Sequence, residues 1–194
     1  MINETPIIIG LTGPMASGKS TVVDALKKRG FKHITLSTIV REECRRKGLE
    51  EIRDNLMATG QALREEFGAG VLGKKALEKI QAEGGENWIV DGIRNPAEVT
   101  ELRKSPNFVL VANTAPEDLI VSRILIRERA DDTLEEEAIK AKLRREMGEG
   151  EPPEGQQVAK CIELADYVFE NVMEMDQVEE KFMELYDGIT AIKS

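Results

Sequence analysis

Apolar residues along this chain follow two rhythms. Short, nearly unbroken apolar runs occupy residues 6–12, 33–37, 87–91, 107–113 and 165–170. Runs of that length without polar alternation predict strands buried on both faces, the mark of a parallel sheet. Between them apolar residues recur at three- and four-residue spacing. That spacing predicts helices over 22–29, 38–47, 49–67, 71–82, 133–147, 156–164 and 178–192, and one opened by Pro116 and running through Ile120, Ile124 and Leu125. Gly30, Gly48 and Gly84-Gly85 fall where helices should stop. Ser37 or Thr38 is the expected cap of the second helix, and Thr133 to Glu136 has the form of a capping box. Asn95-Pro96-Ala97-Glu98 reads as cap, proline at the first helical position and acid at the third, which by itself accounts for Asn95 and Glu98. Gly60 is expected to divide the 49–67 helix, whose core candidates are Ile52, Leu56, Leu63 and Phe67. Strands alternating with helices predict a three-layer α/β fold.

The first strand runs straight into Gly13-Pro14-Met15-Ala16-Ser17-Gly18-Lys19-Ser20-Thr21. Glycine, four residues, then Gly-Lys-Ser is the P-loop pattern, and here it lies between a strand and a helix, as a phosphate cradle requires. Its glycines let backbone N–H groups turn inward, and the helix N-terminus adds positive potential. Lys19 is placed to reach the β- and γ-phosphates of a nucleotide, and the Ser20 hydroxyl to ligate Mg²⁺. Asp91 ends the third apolar run beside that loop, where a carboxylate can organise the metal.

Composition narrows the partners. Net charge is −9 over 194 residues, which argues against non-specific nucleic-acid binding and leaves any anion to local cations. Arg41 and Arg94 follow the second and third strands, on the side of the sheet where ligands collect. Arg123 and Arg127, four apart, share one helix face. Arg64 reads as a surface ion pair with Glu65 or a neighbour, and the lone His33 as a strand residue near a sheet edge. Cys44 and Cys161 have no metal spacing and read as free thiols in a reducing cytoplasm. No apolar run approaches membrane-spanning length, and no signal peptide is visible. Residues 148–155, rich in glycine and proline, are expected to form a mobile loop.

The segments GLTGPMASGKST, LSTIVREE, DGIRNPAEV, RILIRERADD and ADYVFEN carry a family resemblance that covers nearly the whole chain. The chain resembles small P-loop kinases of the nucleoside-monophosphate-kinase group, above all the adenylate-kinase-related, dephospho-CoA-kinase-like proteins of archaea. The resemblance implies a five-stranded parallel sheet in the order 2-3-1-4-5. It implies a single P-loop kinase domain over 1–194, with an acceptor-binding insertion at about 38–70 and a short lid at about 128–155. By position, Arg41 and Arg94 would hold the acceptor, just past strands expected to flank the first. Asp91 would serve the metal, and Arg123 and Arg127 would lead into the lid. Arg129, Asp131 and Asp132 would belong to the lid, and Asn171 would lie near the loop that contacts the donor base. Adenylate kinases proper carry Asp-Gly-Phe-Pro-Arg and a longer lid; here the proline is missing and the lid is brief, so the acceptor is not tied to AMP.

Together these features imply an ATP- and Mg²⁺-dependent phosphotransferase acting on a small phosphate-bearing acceptor, with a nucleoside monophosphate first. A dephospho-CoA-kinase-like activity, or a regulatory ATP-binding protein or slow ATPase without an acceptor, stays open as an alternative.

Overall fold

The computed structural model of the chain describes residues 6–128, 135–173 and 175–193. Five strands form one parallel sheet: β1 (Ile8–Thr12), β2 (Lys32–Thr35), β3 (Trp88–Ile93), β4 (Phe108–Thr114) and β5 (Tyr167–Glu170), in the order β2-β3-β1-β4-β5. Strand β1, every residue of which is buried, is central and pairs with β3 and β4. The unbroken apolar runs have their reason in the layers. Ile8, Val90 and Leu110 face one cluster, with α2 (Leu36–Arg46), α4 (Val71–Glu83) and α5 (Pro96–Leu102). Ile9, Leu11, Ile89, Val109 and Val111 face the opposite cluster, with α1 (Lys19–Lys28) and α9 (Met175–Lys193). A third cluster joins α6 (Glu117–Glu128) to α7 (Glu136–Met147) and reaches Met15 and Ala16.

Three helices lie between β2 and β3: α2, α3 (Arg53–Phe67) and α4. Here the structure corrects the sequence reading. Strand β2 stops at Thr35, whose hydroxyl accepts from the Thr38 amide at 3.1 Å, so Thr35 is the cap rather than Ser37 or Thr38. Arg41 therefore lies in the second turn of α2. Helix α3 passes through Gly60 without a break. Gly60 is buried, and a Cβ there would only touch Val40 of α2 at ordinary contact distance and crowd the end of the Arg64 side chain. Leu63 is core and Leu56 packs at its margin, but Ile52 and Phe67, at the two ends of α3, are 53% and 59% exposed. Helix α7 is capped at Glu135, with no side-chain cap bond; the expected cap, Thr133, lies outside the described residues.

Loop 148–155 has fixed partners where a mobile loop was expected. The Asn95 amide donates to Pro153 O and Gly155 O, each at 2.8 Å, and Gln157 Nε2 donates to Pro152 O at 3.1 Å. The segment is thereby fastened to the cap of α5.

Candidate active site

The loop from Gly13 to Gly18 bridges the C-terminal end of β1 and the start of α1. Two of its residues need glycine for stated reasons. Gly13 has φ 130° and Gly18 φ 95°, and a Cβ at either would overlap Asn113 O or Asn171 Nδ2. Those two asparagines form the back wall of the cradle. Asn113, at the end of β4, and Asn171, just past β5, both donate to Ser17 O, Asn171 at 2.9 Å. Arg123 on α6 closes the ring: its guanidinium donates to Asn171 Oδ1 at 3.2 Å, to Asn171 O at 3.3 Å and to Ala16 O at 3.5 Å. Asn171 is 2% exposed, and both ends of its amide are engaged by Ser17 and Arg123. The side chain is thus committed to the loop at Ser17 and to Arg123 of α6. Arg123 likewise braces the loop from behind.

Lys19 opens α1, and its ammonium folds over the loop. Nζ donates to Gly13 O at 2.6 Å and to Pro14 O at 2.7 Å. Burial lowers its pKa from the ordinary 10.5, against the pull of Asp91 and Glu146. The Ser20 hydroxyl is exposed in the first turn of α1, and Thr21 is half-buried.

Strand β3 continues two residues beyond Asp91, so the carboxylate is not at the strand tip. The register slips between Leu11 and Thr12, which pair with Asp91 and Ile93, leaving Gly92 as the extra residue at φ 79°. A bulge of this kind re-aims the neighbouring side chain. Asp91 Oδ1 accepts from the Gly92 amide at 2.7 Å. Ser20 and Asp91 offer hard oxygen donors, the chemistry Mg²⁺ takes.

Arg94 follows the end of β3, which adjoins β1. Arg41 is one strand farther out, past β2, so only one of the two flanks the central strand. Arg41 Nη1 pairs with Glu51 at 3.3 Å on the surface. Arg94 Nη1 donates to Gln156 at 3.2 Å, and its Nη2 lies 3.7 Å from Glu146 Oε1. Glu146, absent from every motif, is 4% exposed and accepts from the Met15 amide at 2.8 Å. Its only sequence signal is a carboxylate at the end of an otherwise basic last helical turn. The Arg127 side chain, Arg129, Asp131 and Asp132 lie outside the described residues.

The capping box at α5 is present, with an addition. Glu98 Oε2 accepts from the amides of Asn95 and Arg94, while Oε1 faces Arg64 at 3.5 Å. Arg64 is thus no surface pair with Glu65; it reaches a carboxylate that is 1% exposed. His33 lies on edge strand β2, as expected. Both cysteines are free, and burial pushes the Cys161 thiol up to about 12, which makes it inert.

Sheet order, glycine loop and strand-end chemistry define a P-loop protein of the nucleoside-monophosphate-kinase-like group. Residues 12–140 match a family model described as an AAA domain. The UPF0200 protein of Sulfurisphaera tokodaii is 35% identical over 94% of this chain and 97% of its own. That of Thermococcus kodakarensis is 31% identical over 94% and 98%. A UPF0200/UPF0201 protein of Archaeoglobus fulgidus is 32% identical over 92% of this chain, which spans 54% of that longer relative. The chain belongs to the UPF0200 family. Its fold is shared with shikimate kinase from Aquifex aeolicus (TM-score 0.58, 17% identity, 95% and 99% of the two chains) and with dephospho-CoA kinase from Campylobacter jejuni (TM-score 0.52, 16%, 94% and 96%). Among the described residues no helix is long and apolar enough to cross a membrane.

Proposed function

We propose that the protein transfers the γ-phosphate of Mg·ATP to a small phosphate-bearing acceptor, with nucleoside monophosphates as the first class to test. The observation that carries this reading is the meeting of the donor loop and Arg94 across Glu146, so that a cradle for one phosphate faces a guanidinium suited to another. Phosphoryl transfer asks for positioning and charge neutralisation more than covalent chemistry. Lys19 and the loop amides take the donor phosphates. Ser20 and Asp91 hold Mg²⁺, which supplies charge neutralisation on the phosphate oxygens when bound. Arg94 holds the acceptor phosphate, with Arg41 joining it from α2 on release from Glu51. Residues 128–155 act as the lid, their C-terminal part already fastened to Asn95, and Arg127 enters at its base. The setting is cytoplasmic.

The Glu146 carboxylate beside the donor loop also favours a second reading, a dephospho-CoA-kinase-like transfer to a hydroxyl, since a carboxylate tolerates a hydroxyl better than a phosphate dianion. The experiment is ADP release from ATP and Mg²⁺ with a panel of NMPs, dNMPs and dephospho-CoA. Acceptor-dependent ADP supports the proposal. ADP release at one rate with and without every acceptor would leave a slow ATPase.

A further inference from the structure

Glu146 occupies an unfavourable place. It is a nearly fully buried carboxylate in the last turn of α7, where the helix dipole is negative. Burial of a charge there needs compensation. Its partners are the Met15 amide on the donor loop, the Arg94 guanidinium and the field of Lys19.

Arg94 is restrained from four directions. Its amide donates to Glu98 at 2.9 Å, its carbonyl accepts from Gln157 N at 2.7 Å, Nη1 donates to Gln156, and Nη2 faces Glu146. Three of these partners, Glu146, Gln156 and Gln157, come from one short stretch of chain. That stretch is itself fastened by Asn95 through Pro153 and Gly155. An exposed arginine serving only solubility has no need of such a bracket.

We infer that Glu146 is a positioning residue, which sets the Arg94 guanidinium in register with the donor loop; Gln156 is the second restraint. One oxygen reads the loop through Met15 and the other reads the arginine, so the distance between donor and acceptor is fixed by a single rigid carboxylate. The inference rests on the phosphotransferase reading. A mere prop for the donor loop would need the Met15 bond and no contact with Arg94.

The test uses E146Q, which keeps an oxygen for the Met15 amide and removes the charge that orients Arg94. Turnover is measured with ATP, Mg²⁺ and whichever member of the NMP, dNMP and dephospho-CoA panel the wild type uses best. The expected result is a fall of about 30-fold or more in kcat/KM for the acceptor, with ATP affinity by calorimetry within about threefold of wild type and the melting temperature nearly unchanged. Because Glu146 acts through Arg94, the E146Q/R94A double variant should be no slower than R94A alone. Multiplying losses would overturn the inference, as would E146Q turnover within about threefold of wild type, or a loss of ATP affinity matching the loss of turnover. Those outcomes, with an active wild type, leave the phosphotransferase reading standing. A wild type with no acceptor-dependent ADP release overturns that reading and this inference with it.

Discussion

Replacing Asn171 with alanine separates two roles that sequence and structure give this residue. In the structure the side chain is a buried tie: Nδ2 donates to Ser17 O at 2.9 Å and Oδ1 accepts from Arg123 at 3.2 Å. Alanine removes a neutral bond worth about 0.5–1.5 kcal/mol and a charged one worth about 1.5–3 kcal/mol. Ser17 O keeps Asn113, and Arg123 keeps the Asn171 carbonyl, so neither is left wholly unsatisfied. The expected cost is about 2–4 kcal/mol, which for a domain of this size lowers Tm by roughly 5–15 °C. The loop should also lose its set geometry. Affinity for ATP, GTP and inorganic triphosphate should then fall by similar factors, because what is lost is the phosphate cradle. Differential scanning calorimetry and calorimetric titration of the three ligands read both effects. An unchanged Tm with a change of base preference would refute the tie and restore a contact with the donor base.

Asp91→Asn keeps the shape and the bond to Gly92 but removes the charge, so turnover should fall more than nucleotide affinity; an unchanged rate at limiting Mg²⁺ contradicts the metal role. Arg127→Ala tests the lid: an arginine that meets the transferring phosphoryl group is worth on the order of a thousandfold in rate, whereas a surface pair is worth about 0–1 kcal/mol and its loss leaves turnover within about threefold. Burial, the largest cause, holds the Glu98 carboxyl above its ordinary 4.5, with Arg64 and two amides pulling it back. A raised carboxyl favours the folded state while protonated; that contribution is complete below pH 4.5 and is lost as pH climbs through the folded value. Glu98→Gln has no such proton, so its stability relative to wild type should rise with pH above 4.5, and parallel stability curves would count against the buried-charge account.

The sheet was legible because its three inner strands, β3, β1 and β4, are largely buried on both faces, which leaves nearly unbroken apolar runs, while the edge strands β2 and β5 are only partly buried. The donor loop was legible because its backbone demands glycine at Gly13 and Gly18 and its chemistry demands Lys19 in sequence. What escaped lies in contacts between distant segments. Glu146 meets Met15 across 131 positions, and Asn113 meets Ser17 across 96. No local spacing announces such a pair. Helix α3 misled because Ile52 and Phe67 look like core by type but stand at helix ends that nothing covers. The break expected at Gly60 ignored that an isolated glycine is tolerated inside a helix, and α3 runs through it unbroken. Loop 148–155 has a mobile composition, yet the Asn95 cap holds its carbonyls.

The central claim is that a phosphate moves from the donor loop to an acceptor held by Arg94. It is tested most directly by following the γ-phosphate of ³²P-labelled ATP in the presence of Mg²⁺ and the acceptor panel, for the wild type and Lys19→Ala. Label should appear on one acceptor class with the wild type, in amounts equal to the ADP formed, and on none with Lys19→Ala, whose fold should remain intact. Label released only as inorganic phosphate, or transfer at the wild-type rate without Lys19, would contradict the account.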